Sequence, residues 1–220
     1  TYNYKGSIMD TFMQMHGFSC KYLEGIKPYK DNKEVINKLR DLIVFVETPS
    51  VKKWQKKTTV LSATWWRKTS TEEDFNDLRK AVRSVVSAHK GNSTNVMLTV
   101  PKHSITGYDS DGESSKRVRK FTVDKLIIDD AYVQMNARAT NDYAHKSIAI
   151  HLCNIYPSQP VKVYMQDMGF VCDNDTFALN TLIQWLFRSC IRNDETVKVA
   201  LFSGRMSVLL KEWLITGVTK

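Results

Sequence analysis

Thr71–Pro101 reads TEEDFNDLRKAVRSVVSAHKGNSTNVMLTVP, and this stretch decides the fold class. Thr71, Glu72, Glu73 and Asp74 make an acidic opening turn of the kind helix N-termini favour. Phe75, Leu78, Val82, Val85 and Val86 then recur at helical spacing, which predicts one buried face. Gly91 stops the helix, and Asn95–Val100 follows as an apolar strand ended by Pro101. A helix running into a buried strand is half of a β-α-β unit, and such units build parallel sheets. The expected fold is α/β, a mainly parallel sheet with helices on both faces.

Working outward, Asn174–Asp194 (NDTFALNTLIQWLFRSCIRND) has an N-cap oxygen at Asn174 or Asp175 and no Pro or Gly after it. Leu179, Leu182, Ile183, Leu186, Phe187, Cys190 and Ile191 make its apolar face. Gln184, Arg188 and Arg192, four residues apart, are expected as one polar ridge on the opposite side. Two guanidiniums on a core-anchored helix suit phosphate, because each is a rigid fork of donors. They also suit the bland role of complementing the helix dipole.

Val197–Phe202 predicts another strand, with Gly204 turning it into a closing helix that carries Met206, Leu209, Leu210 and Trp213. Ser147–Leu152 is a further strand candidate. Asn32 can cap a helix through Leu42, after which Ile43–Val46 continues it or begins a strand. Thr58–Leu61 reads as a short strand delivering Ser62-Ala63-Thr64 at its carboxyl end, where open α/β sheets put their ligands. Thr106–Ser115 reads as a surface loop, and Ile8–Met15 as a short helix ending at Gly17.

The 220 residues carry a net charge of +9, with 42% hydrophobic and 10% aromatic content, enough for a packed core. The charge favours a polyanion such as nucleic acid. Two basic clusters could track a phosphate backbone: Lys52, Lys53, Lys56 and Lys57 around Trp54, which could stack on a base, and Lys116, Arg117, Arg119 and Lys120. Each is equally an ordinary solvated edge. Cys20, Cys153, Cys172 and Cys190 are far apart without a C-x-x-C, and the histidines are scattered, so neither a zinc knuckle nor another metal site is expected. No apolar run is long enough to span a bilayer. Asp129 and Asp130, after an apolar run, with Asp124 nearby, keep open a metal-dependent nuclease. The chain begins at Thr1, which suggests a piece of a longer polypeptide.

Ser62-Ala63-Thr64, then Ala137–Tyr143 (ARATNDY), then Leu182–Arg192 (LIQWLFRSCIR) stand in the order of the later motifs of superfamily-two helicases. Over roughly residues 60–214 the chain resembles the second, RecA-like lobe of phage and plasmid members of that family. The resemblance implies Ser62 and Thr64 as coupling hydroxyls, and Arg138, Thr140 and Asn141 as nucleic-acid contacts. It also implies Arg188 and Arg192, with Gln184, as groups that face the γ-phosphate across an interlobe cleft. Residues 1–66 would then be the tail of a first lobe or an N-terminal extension, and 67–220 the second lobe. Phe187 stands where the family has Gly, the two arginines are four rather than three apart, and no G-x-x-x-x-G-K-[ST] loop is present. ATP and Mg2+ would be shared with an N-terminal ATP-binding lobe that this sequence lacks. The implied partner is nucleic acid, DNA before RNA, with no membrane, in the cytoplasm of a bacterial host. The alternative is a stand-alone basic nucleic-acid-binding phage accessory protein.

Overall fold

A computed structural model describes residues 7–19, 32–111, 114–117, 119–123, 131–137 and 141–217. The central sheet has four strands, all parallel: β1 (Ile43–Phe45), β2 (Val96–Thr99), β5 (Ile148–His151) and β6 (Val197–Leu201), in the order β1-β6-β5-β2. β3 (Tyr108–Asp111) and β4 (Ser114–Arg117) form a separate antiparallel hairpin. The helices are α1 (Ile8–Met15), α2 (Asn32–Leu42), α3 (Pro49–Gln55), α4 (Glu72–Ala88), α5 (Lys102–Thr106), α6 (Gln159–Asp167), α7 (Asn174–Leu186) and α8 (Gly204–Thr216).

Strand alternation divides the interior into two layers. Leu98, Val100, Ile150, Leu152, Ala200 and Phe202 point to the face covered by α3, α4 and the rings of Trp54, Trp65 and Trp66. Met97, Ala149, Val199 and Leu201 point to the other face, against α2, α7 and α8. The strands are therefore apolar on both sides, as a parallel sheet buried between helix layers requires. Two of the buried indoles find acceptors, Trp66 Nε1 donating to Leu152 O at 3.1 Å and Trp185 Nε1 to Val133 O at 3.0 Å, while Trp54 Nε1 finds none among the described residues.

α4 and β2 lie where the opening stretch put them. The start of α4 is fixed by a capping box in which Thr71 Oγ1 accepts from Asp74 N and Asp74 Oδ2 from Thr71 N, both at 3.1 Å. Gly91 lets the chain turn tightly into β2, since a Cβ there would lie 2.9 Å from Val96 Cγ2.

Four expectations change. Asn174–Asp194 is not one helix: α7 ends at Leu186, and a 3-10 turn, Cys190–Asn193, follows. Ser189 is extended, its hydroxyl donates to Leu186 O at 2.6 Å, and Cys190 N donates to Lys146 O, which draws the chain toward β5. Thr58–Leu61 is not a strand. Leu61 has φ of +63°, and Ser62 Oγ accepts from Trp65 N at 3.2 Å, so Ser62-Ala63-Thr64 opens a helical turn continuing as the π-turn Trp65–Thr69. Thr106–Ser115 is not a plain loop: it holds β3 and the start of β4, which pair antiparallel from Tyr108 opposite Arg117 to Asp111 opposite Ser114. Nor does the fold break after Trp66: β1 is hydrogen-bonded to β6, and Val51 and Trp54 share a core with Phe75 and Leu98. Ile43–Phe45 is a strand rather than an extension of α2.

Candidate functional site

The ridge of Gln184, Arg188 and Arg192 does not exist as such, because only Gln184 lies on the helix, where it is exposed. Arg188 sits in the turn after α7 and is 8% exposed. Burial, and next the Arg192 charge, push its guanidinium below the ordinary arginine range, while Tyr143 acts in the opposite sense. Arg192 is exposed on the 3-10 turn and donates to Asn141 Oδ1. The structure thus brings Asn141 and Arg192 together, with Tyr143 beside Arg188. They meet at the amino ends of β5 and β6, where Ser147 O also accepts from Lys198 N.

Ser62 and Thr64 lie toward the other edge, where Leu61 O accepts from Asn154 N just beyond β5. The strands separate these hydroxyls from Arg188 and Arg192. Trp54 is fully buried, with Lys57 Nζ 3.9 Å from its ring centroid, so it is a core residue and not a platform for a base. Arg119 is exposed, donates to Ser70 O at 2.6 Å and pairs with Glu72 at 3.3 Å. Arg138, Thr140, Asp124, Asp129 and Asp130 lie outside the described residues, as do the side chains of Lys116 and Arg117 on β4.

Sheet topology points to the carboxyl edge instead. After β1 the chain leaves to α3 and α4 on one face, and after β6 it leaves to α8 on the other. β1 and β6 are neighbours, so their outgoing connections part there and leave a crevice, the place where parallel sheets bind ligands. A cavity of about 490 Å³ occupies that position, between the end of α3, the start of α8 and Asn154. Lys52, Lys56, Lys57, Arg205 and Lys211 line it, and no carboxylate does.

The junction is built closely. Gln55 Nε2 donates to Leu201 O at 2.8 Å and so fixes the end of α3 to β6. Gly204 is the first residue of α8, and a Cβ there would fall 2.2 Å from Gln55 O. Glycine is therefore what allows α3 to abut α8. Ser203 caps α8, its Oγ accepting from Met206 N at 3.4 Å. Arg205 holds the surroundings in place: it donates to Asp175, Asn154 Oδ1, Ile155 O and Asn174 O, and its guanidinium carbon lies 4.3 Å from the Tyr156 ring centroid.

The lysines differ in availability. Lys57 lies 3.3 Å from Asp74, while Lys52 and Lys211 both meet Glu47. Lys56 is exposed and has no carboxylate partner among the described residues. Lys52 and Lys56 also complement the carboxyl end of α3, but Lys211, in the middle of α8, has no such role. The cavity can therefore take an anion: ammonium groups on one wall and the positive end of the α8 dipole on another.

Sequence reading found Lys52, Lys56 and Lys57 but assigned their cluster to a surface around Trp54. It missed Arg205 and Lys211. The available signal was Phe202-Ser203-Gly204, a strand running through Ser-Gly into a helix, which places backbone N–H groups at a strand's carboxyl end.

A family model described as the YonV C-terminal Rossmann-like domain matches residues 37–214. The SPbeta prophage-derived uncharacterized protein YonV of Bacillus subtilis (strain 168) is 35% identical over 83 residues, which is 38% of this chain and 20% of that protein. The match thus spans a fifth of the relative's length. No solved structure matches. No helix among the described residues is long and apolar enough to cross a membrane.

Proposed function

The chain belongs to the YonV C-terminal Rossmann-like domain family, and we propose that it is a phosphate-binding module holding nucleic acid by its backbone at the carboxyl edge of the sheet. One observation carries this reading: the β1/β6 crevice is a cavity lined by Lys52, Lys56, Lys57, Arg205 and Lys211, with no carboxylate in its lining. The net charge of +9 supports a polyanionic partner. Lysines supply sequence-independent attraction to phosphates, and a helix N-terminus positions one of them. Binding to labelled single-stranded DNA, with RNA as the comparison, tests it. Lys56→Ala should weaken binding across all sequences and lower the salt slope by about one. Unchanged affinity and slope in a Lys52→Ala/Lys56→Ala/Lys211→Ala triple variant would sink it.

A second reading keeps the helicase resemblance. Its support is that two of the resembling segments meet, through the Arg192–Asn141 hydrogen bond and the position of Tyr143 near Arg188. In this reading the domain is a translocase lobe, with ATP and Mg2+ held by a neighbouring lobe that the arginines approach from the amino edge. In a longer protein containing that lobe, Arg192→Ala should cut nucleic-acid-stimulated ATP hydrolysis by roughly a thousandfold or more. Turnover unchanged from the parent in both Arg188→Ala and Arg192→Ala would remove the arginine-finger role.

A further inference from the structure

Glu47 lies between β1 and α3, and its carboxylate meets two of the lysines that line the cavity. Lys211 Nζ, from α8, donates to Oε1, and Lys52 Nζ, from α3, lies 3.3 Å from Oε2. The hydrogen bond from Lys211, and next that from Lys52, hold this carboxyl below the ordinary glutamate range. The other carboxylates nearby have structural duties. Asp74, beside Lys57, closes the capping box of α4. Asp175 is gripped by Arg205, which ties the starts of α7 and α8 together. Glu47 takes no part in a helix cap, and its carboxylate has no partners among the described residues besides the two lysines. Its side chain is 34% exposed, so the cluster is wet and exchangeable.

We propose that Glu47 is a built-in competitor for the ligand's phosphate, a carboxylate resting on Lys52 and Lys211 that an incoming anion displaces. The proposal rests on the phosphate reading of the cavity. A carboxylate and a phosphate oxygen ask the same thing of an ammonium group: a short charge-assisted hydrogen bond. A phosphate in the cavity meets Lys211 and Lys52, which both line it, and offers more oxygens than Glu47 does. Glu47 then turns into water, which a partly exposed side chain does at little cost. Ligands offering a single weak charge fail to displace it, so Glu47 selects for charge-dense phosphate. Exchanging one anion for another also makes binding less sensitive to salt than the number of lysines implies.

The test compares the full chain with its Glu47→Gln variant. Fluorescence anisotropy would follow a labelled single-stranded DNA oligonucleotide across a salt series, with the thermal midpoint measured alongside. The expected result is binding tighter by about threefold to tenfold at low salt in Glu47→Gln, with a salt slope steeper by up to about two. Adding Lys211→Met should cancel that gain, and Glu47→Gln alone should leave the thermal midpoint nearly unchanged. If Glu47→Gln binds as the parent does while Lys56→Ala binds more weakly, the cavity is the site and Glu47 is no competitor. If neither change moves binding, the phosphate reading itself falls. A lowered midpoint with unchanged affinity makes Glu47 a clamp between α3 and α8, which also overturns the proposal.

Discussion

His151 shows how much one side chain can reveal. It ends β5, is fully buried and stacks edge-on with Trp185 at 5.3 Å, while the Cys153 backbone beside it pulls its pKa only weakly upward. Burial holds its pKa down to about 3, against the ordinary 6.5. Above pH 6.5 both folded and unfolded chains carry it neutral, so it contributes no pH dependence there. As the pH falls from 6.5 toward 3, the unfolded chain takes up a proton that the folded chain refuses, and stability is lost. The loss by pH 5 should be about 2 kcal/mol. Urea unfolding at pH 7 and pH 5 should show that drop in the parent and not in His151→Phe; equal drops would mean the imidazole is protonated in the folded chain. Gly204 makes a steric statement instead. Gly204→Ala places a methyl against Gln55 O and should cost about 2 kcal/mol, seen as a thermal midpoint lowered by several degrees.

At the scale of elements, the interest lies in where helices begin and end. Thr71→Ala removes the acceptor for Asp74 N and should destabilise the protein by about 1 kcal/mol in chemical unfolding, since α4 carries much of one core layer. Arg205→Lys keeps the charge at the cavity but loses the fork that binds Asp175, Asn154, Ile155 and Asn174 together. It should cost about 2 kcal/mol and weaken ligand binding by loosening the start of α8. Boundaries such as these decided what the sequence could disclose. α4 and β2 were legible because periodicity and capping agree there. The end of α7 was not, because Phe187, Cys190 and Ile191 go on being apolar after the helix stops: the turn into β6 buries Cys190 and Ile191 and half-buries Phe187, and helical spacing cannot distinguish that from a longer helix. The ridge of Gln184, Arg188 and Arg192 vanished with that boundary.

For the molecule as a whole, the parallel α/β class followed from one helix–strand unit, but the strand order β1-β6-β5-β2 did not. Local patterns say what each segment becomes and leave open which segments become neighbours. The candidate site depends on that second fact: Lys52 and Lys211 lie far apart in the chain and meet only because β1 pairs with β6. The sheet also separates two charged regions. Arg188 and Arg192 stand at the amino ends of the central strands, and the lysine cavity at the carboxyl end of the β1/β6 pair. If the phosphate reading is right, the domain's DNA affinity should fall in Lys56→Ala and hold in Arg192→Ala. The reverse pattern would move the binding surface to the opposite edge.

The same strand order governs how the protein can be made. β1 and β2 emerge from the ribosome early, yet β1 acquires its sheet neighbour only when β6 arrives. β2, bridged earlier by Tyr132 at Leu98, pairs along its length only with β5, so the middle of the sheet is synthesised last. Until then the growing polypeptide carries apolar strands awaiting partners, a stage at which chaperones would matter and premature termination would do harm. A truncation stopping short of Val197 would leave β1 without its neighbour and α3 without the β6 carbonyl that anchors Gln55.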